Sequence, residues 1–141
     1  MKKAALITLC LFIGVCLIVI AVLPHLRRHI ESVECGNQMS SMCIGIRIWL
    51  EDNTNSLPRS FLSLSNELCS PKFLICPSDH SRHASNGWNA SIETNCSYEL
   101  VQTEKPVNHD TVVLRCKLHH HLGYADGTVF DGDRRRTKVF W

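Results

Sequence analysis

The chain has 141 residues, of which 45% are hydrophobic, with eight cysteines, fifteen basic and thirteen acidic side chains and a formal net charge of +2. Once a membrane segment is set apart, that length holds one folded domain. The near balance of charge creates no field that would draw the whole chain to nucleic acid, which we exclude as a partner.

Residues 4–23 read AALITLCLFIGVCLIVIAVL, twenty positions without a charge. About 20 apolar residues in a helix match a hydrocarbon core roughly 30 Å thick, so residues 1–23 are expected to form a transmembrane anchor. A cleaved signal peptide is the rival, given Lys2 and Lys3, but its apolar core runs about 7 to 15 residues and ends in a small-residue cleavage site. Val22-Leu23-Pro24 is a poor site of that kind. Lys2 and Lys3 on one flank are matched by Arg27 and Arg28 on the other, so charge does not orient the anchor. Cysteine usage does: six cysteines in the water-soluble part are expected in an oxidising compartment, which puts the N-terminus inside and the C-terminal region outside the cytoplasm. Cys10 and Cys16 fall in the apolar run, where cysteine acts as a small apolar residue rather than a palmitoylation site.

Residues 24–55 are expected to continue as an amphipathic helix. Pro24 is accommodated as a kink or a first turn. Leu26, Ile30, Val33, Asn37, Ser41, Ile44 and Ile48 form one stripe at spacings of three and four, and Met39, Met42, Ile46, Trp49 and Leu50 form a second beside it. Gly36 and Gly45 each weaken the helix interior by roughly 1 kcal/mol relative to alanine. Asp52-Asn53-Thr54-Asn55 followed by Leu57-Pro58 is the stop.

Residues 56–141 are expected to be a small disulfide-stapled α+β region. A short helix capped by Ser60 comes first, then β-prone segments at Phe73-Leu74-Ile75-Cys76 and at residues 97–101, 111–116 and 122–125. Asp126-Gly127 predicts a two-residue type I′ hairpin. The resulting antiparallel sheet packs one face on the long helix. Residues 79–95, rich in Ser, Asn and His, are expected to be a loop.

The even number of cysteines outside the anchor (Cys35, Cys43, Cys69, Cys76, Cys96 and Cys116) reads as disulfides. Cys35 and Cys43 stand about 12 Å apart along a helix, beyond the reach of a bridge, so their partners must come from the C-terminal half. We favour Cys35 with Cys76 and Cys96 with Cys116, other connectivities remaining open. A zinc alternative takes Cys76, His80, Cys116 and His119 as ligands. Asp126, Asp131 and Asp133 form an oxygen-rich group of the kind that holds calcium. No nucleophile elbow, zinc-protease helix, phosphate loop or dinucleotide fingerprint occurs, so no enzyme activity and no resident cofactor are expected. Asn89-Ala90-Ser91 and Asn95-Cys96-Ser97 match the glycosylation sequon, and Arg134-Arg135-Arg136 reads as a solvated basic patch.

Taken in order, Cys35-x-Asn37, Ile48-Trp49-Leu50-Glu51-Asp52-Asn53 with Leu57-Pro58, Cys76-Pro77-Ser78-Asp79 and His120-His121-Leu122-Gly123-Tyr124-Ala125-Asp126-Gly127 resemble the type IV pilin-like proteins of bacteria. The likeness is to the pseudopilin, or type II secretion protein G-like, branch. It implies a membrane-anchored structural protein of the inner membrane, its C-terminal domain periplasmic, with the lipid bilayer and other pilin-like subunits as partners through the N-terminal helix. It also adds weight to the calcium site, because some secretion pseudopilins bind calcium near the C-terminus. One departure stands out: Lys3-Ala4-Ala5-Leu6-Ile7-Thr8 has neither the glycine nor the glutamate of a prepilin peptidase site. The alternative function is a membrane-tethered or secreted disulfide-rich binding module, zinc being its candidate ligand.

Overall fold

A computed structural model describes residues 2–103 and 106–132, with side chains from Leu11 onward. Helix α1 covers Lys2–Asp52 and includes Pro24 within it. The chain divides into two compact units, Met1–Glu31 and Ser32–Trp141, so the helix from Ser32 to Asp52 belongs with the C-terminal fold.

In the first unit the large apolar side chains described, from Leu11 onward, are bare, Phe12 being 69% and Ile18 64% exposed. Of the described residues, the helix from Leu11 is long and apolar enough to cross a membrane, with a mean hydropathy of 1.9 in its most apolar window. Arg27 pairs with Glu31 one turn on at 2.8 Å, an exposed contact of little energetic weight.

In the second unit α1 turns one stripe inward. Cys35, Met39, Met42, Cys43, Ile46 and Leu50 are buried and recur at spacings of three and four, one face of a helix. Of the two apolar stripes in the sequence, only this one is covered. Ile44 and Ile48 of the other remain 53% and 45% exposed. Gly45 has a packing role: a Cβ there would run into the Leu68 side chain, so the glycine lets the following segment approach the helix backbone. The helix ends at Asp52, and Thr54 and Asn55 adopt left-handed φ values of 52° and 61°, while Asn55 N–H donates to Leu50 O at 2.9 Å. Left-handed residues that satisfy the last carbonyls are how helices are commonly terminated.

Ser60 caps a 3₁₀ turn at Phe61–Leu64, accepting from Ser63 N–H, as its hydroxyl chemistry favours. Phe73-Leu74-Ile75-Cys76 is not a strand. Pro71–Leu74 is a second 3₁₀ turn, because Ser70 accepts from Lys72 N–H and Pro71 occupies the first helical position. Local capping there outweighs the β propensity of the residues that follow. The 79–95 segment is irregular except for a 3₁₀ turn at Ala90–Ile92.

The sheet comprises β1 (Tyr98–Leu100), β2 (Val112–Cys116), β3 (His121–Tyr124) and β4 (Val129–Asp131), antiparallel throughout and in chain order. The architecture is therefore α+β. Tyr98 lies opposite Cys116, Leu100 opposite Leu114, and Leu114 opposite Gly123. An irregularity between Val112 and Leu114 breaks the alternation of β2, which is why Val113 and Leu114, though adjacent, are both buried. The inner face joins the α1 stripe in one core with Phe61, Leu64, Leu68 and Leu74.

The β3–β4 hairpin differs from the two-residue turn expected. Gly127 N–H bonds to Tyr124 O at 3.0 Å and Tyr124 N–H to Thr128 O at 2.9 Å, and Gly127, at φ 92°, is the loop residue with positive φ. This is a three-residue loop whose last residue takes the left-handed position, an arrangement that asks only Gly127 for positive φ. Asp126 is then free to accept from Thr128 N–H at 2.8 Å and Thr128 Oγ1 at 2.6 Å.

Candidate metal centre

Four side chains converge at one edge of the core. Cys35 comes from the buried stripe of α1, Cys76 from the segment after the second 3₁₀ turn, Cys116 from the end of β2, and His119 from the turn into β3. Their sulfur and nitrogen ligand atoms all lie within 4.8 Å of one another. Cys35 Sγ is 3.5 Å from Cys116 Sγ, and His119 Nδ1 is 3.3 Å from Cys76 Sγ and 4.0 Å from Cys116 Sγ. The three cysteines are buried and the histidine is half-buried.

The turn after β2 shapes this corner. His120 holds a left-handed φ of 57°, and His119 N–H points back to Cys116 Sγ at 3.4 Å. On the far side of the imidazole, Nε2 meets Ser78 Oγ at 3.1 Å. With its proton on Nε2, the ring presents the Nδ1 lone pair to the sulfurs. The Tyr98 hydroxyl lies 3.6 Å from Cys35 Sγ and 3.1 Å from Gln38 Oε1, so a phenol closes the cluster from β1. His121 stacks on His119 with ring centroids 5.3 Å apart, and its Nε2 sits 3.3 Å from Ser32 Oγ.

The three sulfurs influence one another's ionisation. Hydrogen bonds from Cys35 and then Cys76, helped by the His119 and Leu118 N–H groups, push the Cys116 thiol far below the usual range. The same contact with Cys116 pushes Cys35 strongly up, and Cys76 up to about 11. A thiolate is the metal-binding and nucleophilic form of cysteine.

The expected disulfides are not formed, so cysteine pairing does not orient the anchor. Cys16, Cys35, Cys43, Cys69, Cys76, Cys96 and Cys116 are all free thiols. Cys35 and Cys76 meet, but within the four-membered cluster. Cys96 is committed elsewhere, donating to Leu74 O and accepting from Tyr98 N–H, both at 3.3 Å. Cys43 is buried beneath Gly123, and Cys69 is exposed. Of the zinc set expected from the sequence, Cys76, Cys116 and His119 come together, while His80 is exposed and outside the cluster. Cys35 takes the fourth place. Cys35 is the ligand that the sequence does not single out, because only its place on the buried stripe of the helix brings it to the other three.

Of the calcium group, Asp126 is spent on the hairpin loop, and Asp131 ends β4 opposite His121. Asp133 lies outside the described residues, as does the Arg134–Arg136 run. The sequons Asn89-Ala90-Ser91 and Asn95-Cys96-Ser97 are engaged in local structure: Asn89 caps the third 3₁₀ turn, and Asn95 bonds to His83 O. Comparison of the chain with protein families, with curated proteins and with solved structures finds no match.

Proposed function

We propose that this protein is a pilin-like structural subunit, held in a bacterial inner membrane by the first part of α1, with its C-terminal α+β unit on the periplasmic side. Its work is assembly, through the N-terminal helix, with other subunits of the same kind. The observation that carries this reading is the double use of one helix. Its first part is apolar and bare over a membrane-spanning length, and its second part supplies the inner stripe of a small antiparallel domain. A bare apolar helix surface has no stable home in water and is satisfied by lipid or by other apolar helices. The sequence resemblance to pseudopilins supports the same reading, as do the uncovered Ile44 and Ile48 on the outer side of the helix.

The test is topological and then associative. The full chain should stay in the bacterial membrane fraction after alkaline carbonate washing, and a C-terminal alkaline phosphatase fusion should be active. Mild oxidation in the membrane should cross-link neighbouring copies through Cys16. A soluble, cytosolic product would overturn the proposal. A membrane-bound protein that yields no cross-linked species would overturn the assembly part alone.

A further inference from the structure

We propose that Cys35, Cys76, Cys116 and His119 form a structural zinc site that ties helix α1 to the β2–β3 turn and to the segment following the second 3₁₀ turn.

The donor set is three sulfurs and one imidazole nitrogen, one of the ligand combinations of closed structural zinc sites. The spacing suits a single tetrahedral ion. Zn–S bonds of about 2.3 Å and a Zn–N bond of about 2.0–2.1 Å imply S···S separations of roughly 3.8 Å and S···N separations of roughly 3.6 Å. The Cys76–His119 and Cys116–His119 distances of 3.3 and 4.0 Å bracket the S···N value, and the Cys35–Cys116 distance of 3.5 Å is slightly short of the S···S value. Small rotations about χ1 supply the remaining adjustment.

The surroundings are those of a supported site. Ser78 Oγ is placed to accept from the non-ligating Nε2–H of His119, the tautomer that leaves Nδ1 free to coordinate. His119 N–H already points at Cys116 Sγ, and the Tyr98 hydroxyl sits beside Cys35. Such donors disperse the negative charge of zinc-bound thiolates. Soft sulfur donors in tetrahedral array favour zinc over calcium or magnesium. With four protein ligands and three of them buried, no position is left open for water or substrate, so the ion holds structure and does no chemistry. On binding, each coordinating thiol still carrying a hydrogen releases a proton to solvent as its Zn–S bond forms, with no redox change.

A Cys35–Cys116 disulfide is the competing use of the same atoms. It would bring the two sulfurs from 3.5 Å to about 2.05 Å and leave Cys76 and His119 without a shared partner. The convergence of all four donors favours the ion.

The experiment uses the full chain, purified in detergent without added metal or chelator. Elemental analysis should find one zinc per chain, and exchange with Co²⁺ should give thiolate-to-cobalt charge transfer with the visible bands of a tetrahedral site. Cys35→Ser and Cys116→Ser should each reduce zinc at least tenfold. Cys96→Ser and Cys69→Ser should leave it unchanged. His119→Cys, which retains four coordinating groups, should keep the ion even if His119→Ala fails to fold. Wild-type protein that carries no zinc, does not take up Co²⁺, or has lost two mass units to a Cys35–Cys116 bond overturns the proposal. Retention of the ion in Cys35→Ser does so too. Metal content and Co²⁺ spectra are read on the purified chain, and topology and cross-linking in the membrane, so this site and the pilin-like role fail separately.

Discussion

Cys35 on α1 and Cys116 at the end of β2 are 81 positions apart in the chain, yet their sulfurs lie 3.5 Å apart in the core. Whatever links them also links the helix to the sheet. If they share a zinc ion, a ligand present only in the folded state adds about 3 to 4 kcal/mol at free concentrations of 100 to 1,000 times Kd. A high-affinity chelator should therefore lower the melting temperature by roughly 10 °C or more. Readdition of zinc should restore it, and calcium should not.

Gly123 lies over Cys43, so that a Cβ on Gly123 would overlap the Cys43 sulfur and stand 3.2 Å from Leu114 Cβ. Gly123→Ala should cost about 1–3 kcal/mol through overpacking. Cys43→Ala should recover part of that loss in the double variant, a coupling that urea titration of the four members of the cycle would measure.

Burial, with the nearby charge of Asp126 adding to it, pushes the Cys43 thiol up to about 12. At mildly alkaline pH the native protein should leave Cys43 unalkylated by iodoacetamide while the exposed Cys69 reacts, and denaturation should make both reactive. The linkage has a definite sign. The folded pKa lies above the unfolded one, so this contribution to stability is fully present below the ordinary thiol pKa of about 8.5. It declines as pH rises from there toward 12, because the unfolded chain then binds fewer protons than the native one.

Burial opposes the charge of Asp79, but hydrogen bonds from Ser81 and Ser97 and the Arg82 guanidinium outweigh it and hold the carboxyl below its ordinary range. The contacts are 2.6 Å from Ser81 Oγ, 2.7 Å from Ser97 Oγ and 2.8 Å from Arg82. Asp79→Ala should destabilise the domain by about 2 kcal/mol, since it also strips the buried Ser97 hydroxyl of its acceptor. Because the folded pKa is depressed, the Asp79 contribution is present above the ordinary carboxylate pKa of about 3.9 and is lost as pH falls through the folded value. Acid titration of wild type should show that loss, and the variant should not.

What was legible in the sequence was local. Twenty uncharged residues, a helical stripe from Met39 to Leu50, a stop at Asp52-Asn53, the Ser60 cap and β-prone runs around Tyr98, Leu114 and Leu122 each report on interactions within a few residues, and the α+β order follows from them. The Pro71 turn was equally local but misread, because a Ser-Pro cap and a β-prone run overlapped there. The hairpin was placed correctly at Asp126-Gly127, but its loop length was settled by the register of β3 on β4, which puts Tyr124 opposite Thr128.

Only the tertiary structure decided the use of the cysteines and which helical stripe faces inward. Residue types say that a thiol can pair, ligate or simply fill space, and those outcomes differ by a few ångströms of placement. That placement is determined by how the helix stripe packs on the sheet, which brings Cys35 over Cys116 and leaves Cys96 to the Leu74 carbonyl. Spacing along the chain carries no record of such contacts, since they arise only when distant apolar surfaces are removed from water together.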